Sequence, residues 1–356
     1  MTADLSHGPV CPVPLSHRET IILGHGSGGK LTHDLIRLVF KRWLSNPFLN
    51  QGDDAARMDS TLLAGTPVIS TDAHVVKPIF FPGGDIGRLA VCGTVNDVAM
   101  LGAVPKYLTA SFILEEGLLI KELDQVVQSM AEAAKEADVL IVAGDTKVVE
   151  RGKGDRVYIS TTGFGIIPPG HGSISGANAQ PGDLIILSGT LGDHGIAVLS
   201  ARNELSFEVH LESDVAPLNK MIQQVLSAAP HTHVLRDPTR GGLATSLNEI
   251  AEQSKVDIHI QESTIAIKPA VRAACEMLGF DPVYLANEGK VIAIVPQIEA
   301  TAALQAMHNH PYGLDAVIIG EVTVSDTIHP CVVQHTPYGS SRILTMLAGE
   351  ILPRIC

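Results

Sequence analysis

Cys356, the last residue of the chain, follows Pro353-Arg354-Ile355 and sets a thiol beside a free carboxylate. A thiolate is a strong nucleophile at accessible pH, so the segment predicts a swinging nucleophile, carried on a tail and presented to more than one active site. Taken alone, those residues read better as a frayed end; the rest of the chain has to decide. Asp53-Asp54, Asp72 in Ser70-Thr71-Asp72, Asp97 in Asn96-Asp97 and Asp145 in Gly144-Asp145-Thr146-Lys147 share the first half. Asp72 and Asp145 each follow a strand-like run directly, where loops from a sheet converge. Singly, such aspartates are caps and turn formers. Together they supply the hard oxygen ligands that Mg²⁺ needs when it bridges ATP phosphates. Lys147, two residues after Asp145, is placed to reach the same phosphates or a transferring phosphoryl group. Glu288, in Ala286-Asn287-Glu288-Gly289-Lys290 between two strand-like runs, is either a turn carboxylate or a general base at a domain interface.

The run Gly24-His25-Gly26-Ser27-Gly28-Gly29-Lys30 fits two phosphate motifs at once. Both fail on detail: Leu31 stands where a P-loop needs Ser or Thr, and no acidic ribose-binding residue ends a second strand. What survives is a glycine turn before a helix, able to aim backbone N–H groups at an anion, with a plain turn as the competing reading. His231-Thr232-His233 and His308-Asn309-His310 lack a supporting cluster and read as solvated loop histidines.

The elements that must position these residues follow from composition and periodicity. A chain of 356 residues, 45% hydrophobic and 18% charged, suits two domains with ample core. Net charge of −13 argues against nucleic acid and against an anionic membrane surface. Five scattered cysteines without a Cys-x-x-Cys pair fit a reducing cytoplasm and offer neither a zinc site nor a disulfide framework. No signal-peptide order and no membrane-length apolar run is present, so the expectation is a soluble cytoplasmic protein. Ile36, Val39, Phe40 and Trp43 recur at helical spacing, with Asn46-Pro47 ending that helix. Pro67 to Thr71 and Tyr107 to Leu114 read as buried strands, Leu119 to Ala137 as a helix, Val139 to Ala143 and Arg156 to Ile167 as strands. After Pro168-Pro169-Gly170, helices and strands alternate through Val317 to Ile319. The fold class is therefore α+β (α/β), in two halves. The expected boundaries are an extension at 1–18, domains at 19–170 and 171–345, and a mobile tail at 346–356.

Gly26-Ser27-Gly28-Gly29-Lys30, Ser70-Thr71-Asp72, Phe80-Phe81-Pro82-Gly83-Gly84, Asn96-Asp97-Val98-Ala99, Gly144-Asp145-Thr146-Lys147, Gly192-Asp193-His194-Gly195, Arg240-Gly241-Gly242, Asn287-Glu288-Gly289 and Pro353-Arg354-Ile355-Cys356 together resemble the HypE family of hydrogenase maturation factors, from about Ile21 to Cys356. That family belongs with aminoimidazole ribonucleotide synthetase (PurM), selenophosphate synthetase and thiamine-monophosphate kinase. The resemblance implies a two-domain PurM-like fold, ATP and Mg²⁺, and a homodimer paired through the amino-terminal domain. It implies a carbamoyl dehydratase: the carbamoyltransferase HypF loads Cys356, ATP activates the carbamoyl oxygen, loss of phosphate leaves a thiocyanate, and cyanide passes to iron on the HypC–HypD complex. Carried onto this chain, it makes Asp54, Asp72, Asp97 and Asp145 the metal candidates. Gly26, Ser27, Gly28, Gly29 and Lys30 become a lid over the phosphates, with Asn96, Asp97 and Thr146 beside the nucleotide. Lys147 would stabilise charge on the activated oxygen, Glu288 would remove a proton, and Cys356 would carry the substrate. Two other readings stand beside this one: a small-molecule kinase or synthetase of the same superfamily with Cys356 incidental, and an acidic scaffold without chemistry.

Overall fold

The computed structural model describes residues 19–51, 55–58, 64–170, 172–202, 211–347, 349, 352 and 354–356. The extension, the candidate ligand Asp54 and Pro353 of the terminal motif lie outside the described residues. The first helical segment is α1 (Lys30–Leu35), a wider π turn at Ile36–Phe40, and α2 (Lys41–Leu44), burying Leu35, Val39, Phe40 and Leu44. Asn46 does more than end it. Its side-chain oxygen accepts from the amides of Phe48 (3.0 Å) and Leu49 (3.1 Å), so Asn46-Pro47 caps and opens α3 (Pro47–Gln51).

Strand β1 (Thr66–His74) is followed by the short pair β2 (Phe80–Phe81) and β3 (Gly84–Asp85), then by α4 (Ile86–Met100). Asp85 starts α4 by accepting from the amides of Gly87 (2.7 Å) and Arg88 (3.0 Å). Strand β4 (Val104–Glu115), α5 (Ile120–Ala137), β5 (Leu140–Val149) and β6 (Val157–Ile167) complete a four-stranded sheet ordered β1-β6-β4-β5. α4 covers one face of this sheet and α5 packs on α4. The other face is open. Alternation puts Ile69, Phe164, Ile113 and Leu140 on it, with Ile69 70% exposed. β1 and β4 are thus one-sided strands rather than the buried ones expected, because helices clothe only one face.

The second half holds β7 (Asp183–Leu187), α6 (Asp193–Ser200), α7 (Asn219–Ala228), β8 (Val234–Arg236), α8 (Gly242–Ser254), β9 (Val256–Gln261), α9 (Pro269–Leu278), β10 (Ile292–Pro296), α10 (Gln297–His308), β11 (Val317–Val324), β12 (Val332–His335) and β13 (Ser341–Leu344). The strands form one sheet, β13-β12-β9-β11-β7-β10-β8, antiparallel except where β12 meets β9. β7 and β10 are apolar on both sides because α8 packs on one face and α7 with α10 on the other. The architecture is a mixed α+β fold. α4 joins the halves: the Asn96 side chain donates to the Ala216 carbonyl (3.0 Å) and accepts from the Leu218 amide (2.8 Å).

Of the paired histidines, His231 is an exposed loop residue as expected, whereas His233 and His308 are partly buried. His231 meets Glu299 at 2.5 Å, His233 meets Asp183 at 2.7 Å, and His308 reaches the Ala316 carbonyl at 2.8 Å. Each fastens a connection to an element that sequence separation conceals.

Candidate active site

The terminal residues are docked at the junction of the two halves. The amides of Val75 and Lys77 donate to the carbonyls of Cys356 (3.1 Å) and Arg354 (3.3 Å), so the tail runs antiparallel along the continuation of β1. Arg202 donates to the carbonyl of Arg354 (2.8 Å), and the Arg354 guanidinium pairs with Asp155. His194, fully buried on α6, contacts the Ile355 carbonyl at 2.7 Å. Ile355 itself is buried in the core of the first half. Cys356 is half-buried and lines a cavity of 480 Å³ with Ala73, Arg240, Leu285 and Ala286.

Near that cavity lies a group of carboxylates only partly compensated by Arg236, Arg240 and Lys290. Glu288 is 4% exposed and its Oε1 has no hydrogen-bond partner among the described residues. Burial, then the charges of Asp237, Asp214, Asp72 and Asp97, pushes its pKa well above the usual carboxylate range. Asp237, following β8, is pushed up to about 7 by burial and then by Asp97. Asp97 is raised by burial against a 2.8 Å hydrogen bond from Ser70. His74 lies 3.7 Å from Asp72, yet burial outweighs that neighbour and lowers its pKa. Asp97, Asp237, Arg236 and Arg240 share a neighbouring cleft of 540 Å³. Asp214 is the exception: burial raises it, but Lys290 at 3.1 Å, helped by the amide of Glu288, more than offsets this and holds it low. Its two oxygens accept from the amides of Glu288 and Gly289 (3.2 Å each), fixing the loop that carries Glu288. A Cβ on Gly289 would lie 1.7 Å from the Asp214 carbonyl, so only glycine closes that loop.

A second group forms at the other edge of the first sheet. The glycine run is a 3₁₀ turn (Leu23–Gly26) leading into α1. It lies on β5 so closely that a Cβ on Gly26 would be 2.7 Å from the amide nitrogen of Val148. Below it, Ile36, Phe40, Phe112, Asp145 and Thr146 line a groove of 330 Å³. Lys147 pairs with Asp145 (2.9 Å) while remaining 66% exposed, and that contact, followed by the Thr146 amide, lowers the Asp145 pKa.

The sequence expectations therefore divide. The structure joins the glycine run to Val148 and Asp72 to Asp97 and Glu288, with its neighbour Ala73 lining the cavity of the docked Cys356. It does not bring Asp145 and Lys147 to them. Neither Asp72 nor Asp145 follows a strand; both lie inside one. Asp72 is level with Thr161, Ala110 and Gly144, one row away from Ala73, Ser160, Ser111 and Asp145. Adjacent rows point to opposite faces, so Asp72 faces α4 and Asp145 faces the open side, on opposite edge strands. Among the described residues, no three carboxylate, imidazole or thiol groups converge as a ready metal centre. Asn96, expected beside a nucleotide, has both ends of its amide engaged in tying the halves together. The site residues that sequence reasoning left unassigned are Asp237, Asp214, His74 and His194. His194 stood inside Gly192-Asp193-His194-Gly195, and Asp237 lies three residues before Arg240-Gly241-Gly242; Asp214 carried no sequence signal.

The family descriptions for AIR synthase related proteins match this chain at residues 52–167 (N-terminal domain) and 180–330 (C-terminal domain). Carbamoyl dehydratase HypE of Cupriavidus necator is 53% identical over 337 residues, covering 94% of this chain and 95% of that protein. A crystal structure of hydrogenase maturation protein HypE in complex with ATP is 50% identical with a TM-score of 0.90, covering 95% of this chain and 100% of that one. HypE in a crystal structure of a HypE–HypF complex is 49% identical with a TM-score of 0.76, covering 90% of this chain and 100% of the other.

Proposed function

The chain belongs to the HypE family, whose AIR synthase related domains give it a two-domain PurM-like fold, and on that premise we propose that it uses ATP to dehydrate a carbamoyl group carried on its own Cys356 to a thiocyanate. The observation that carries this reading is the terminal thiol seated in a cavity lined by Leu285 and Ala286, next to the loop of the buried Glu288, whose Oε1 has no partner among the described residues. An amide oxygen leaves poorly, whereas phosphate leaves well. The carbamoyl oxygen attacks the γ-phosphorus of ATP, ADP departs, and one N–H proton is lost. The C–O bond then breaks with phosphate as the leaving group, a second N–H proton goes, and S–C≡N remains. Glu288, made a stronger base by the burial that raises its pKa, takes a proton; Lys147 offsets charge on the transferring group. The docked tail and the closed Glu288 loop hold the reacting atoms away from bulk water.

The residues fit both groups the reaction needs. The apolar groove under the glycine run, rimmed by Asp145 and Thr146, suits a nucleotide. Asp72, Asp97 and Asp237, whose mutual repulsion Arg236 and Arg240 offset only in part, suit Mg²⁺, which binds through one or two carboxylates when phosphates supply the rest. The ion would neutralise phosphate charge. HypF is the proposed carbamoyl donor, as the relative's complex supports, and HypC–HypD the acceptor of the cyanide. No helix among the described residues is long and apolar enough to cross a membrane, and we assign the reaction to the cytoplasm, whose reducing conditions keep Cys356 a thiol. The divisions at 170 and 345 stand as the proposed domain boundaries.

The test is the intact mass of the protein after incubation with carbamoyl phosphate, the transferase and ATP–Mg²⁺. Gain of one carbamoyl group, then ATP-dependent loss of one water, is expected. A persistent adduct with an active transferase present, or no adduct at all, overturns the reading and favours a free small-molecule substrate.

The open face of the first sheet, with Ile69, Phe164 and Leu140, is proposed as the homodimer interface. Charge on such a buried face is costly, so Ile69→Lys is expected to shift the chain from dimer to monomer in light scattering. An unchanged mass would place the interface elsewhere.

A further inference from the structure

The residues Ser213 and Asp214 hold both partners of the proposed chemistry at once. Asp214 binds the amides of Glu288 and Gly289, and Lys290 neutralises it at 3.1 Å. Ser213, its chain neighbour, contacts Nδ1 of His194 at 2.8 Å, and Nε2 of His194 meets the carbonyl of Ile355 at 2.7 Å. A carbonyl only accepts, so Nε2 carries the hydrogen and donates. Burial disfavours the charged ring, so Nδ1 is bare and accepts from the Ser213 hydroxyl. That hydroxyl oxygen in turn accepts from the amide of Val215 at 3.1 Å, which fixes its direction. His194 is fully buried and none of these contacts touches the reacting atoms.

We propose that His194, oriented by Ser213, is a positioning residue that aligns the Cys356 thiol with Glu288, using the Ser213-Asp214 pair as the common reference for tail and base. The inference rests on the dehydratase reading above. The neighbouring tail contacts, from Val75, Lys77 and Arg202, reach the tail from β1's continuation and from the end of α6. The hydrogen bonds through His194 tie the tail to the segment that also fixes the Glu288 loop. Its action is confined to the docked state, since loading requires Cys356 to be outside, within reach of the transferase.

The two half-reactions separate these roles. Carbamoyl loading and single-turnover dehydration of the preloaded protein are measured on wild type, His194→Ala, His194→Gln and Ser213→Ala. In His194→Ala, loading is expected to match or exceed wild type while dehydration falls about tenfold or more, as losing one buried hydrogen bond implies. His194→Gln, whose amide can still donate, should recover much of the rate. Ser213→Ala should show a smaller loss in the same direction, because the ring loses the bond that selects its tautomer. Preloaded His194→Ala that dehydrates at the wild-type rate, or variants that lose loading and dehydration in parallel, would overturn the proposal. Failure of the wild type itself to dehydrate would strike the proposed function instead, so the two failures are distinguishable.

Discussion

In Glu288→Gln, dehydration of the loaded protein is expected to fall by about 10²–10⁴-fold, the range for a general base, while the melting temperature at pH 8 rises. The opposite signs follow from one cause. Glu288 is buried among Asp237, Asp214, Asp72 and Asp97, with Oε1 lacking a partner among the described residues, so its folded-state pKa is well above normal. A carboxyl shifted upward keeps its proton longer in the folded chain than in the unfolded one. Stability is therefore lost as pH rises from the ordinary carboxylate range to the shifted value, and the penalty is complete above it. For Asp237 that window ends at about 7. Gln removes the charge and keeps the shape, which relieves Glu288 and its neighbours together. Roughly 1–3 kcal/mol is at stake for an uncompensated buried charge, or several degrees. ATP–Mg²⁺ offsets the same charges, so it should narrow the difference in melting temperature between the two proteins. A variant with unchanged rate would remove Glu288 from the mechanism; one with lower stability would mean the cluster is compensated in a way these contacts do not show.

Lys147→Ala is expected to slow dehydration about 10²–10³-fold, the effect of losing one charge-stabilising group at a transition state. The manner of the loss is the informative part. Within one chain, Lys147 lies on β5 and points to the open face; the tail docks along the continuation of β1, a strand three spacings or about 14 Å from β5. A lysine side chain does not span that. If two copies pair through the open face, the partner's β5 edge, with its own glycine run, comes to the β1 edge of the first copy. One site then takes Glu288 and Cys356 from one chain and the lysine from the other. Mixing Lys147→Ala with Glu288→Gln should restore about a quarter of wild-type activity, since half of the random dimers carry one intact site. No recovery above the sum of the inactive parents would place Lys147 in its own chain's site, or outside the mechanism.

Some of this was determined by the residues alone. Helix α8 was legible because Leu243, Leu247, Ile250 and Ala251 recur at helical spacing after two glycines, and all four are buried. Pro269 opens α9 as its fixed φ allows. The candidate chemistry was equally local: a terminal thiol, a glycine turn, loop carboxylates and a lysine beside one of them are properties of short segments. Tertiary structure decided how these segments meet. Gly144-Asp145-Thr146-Lys147 looks like a loop, yet it pairs with β4 and stays in the strand, because polar side chains can stand on a face that no helix covers. Asp72 and Asp145 look alike in sequence, but a one-residue difference in row sends them to opposite faces. Asp214 and His194 became visible only when the tail was docked, since their partners lie 76 and 161 residues away along the chain. Residue types and short spacings record what a segment can do; burial and facing depend on neighbours brought together by the fold, and for Glu288 those neighbours supply the raised pKa.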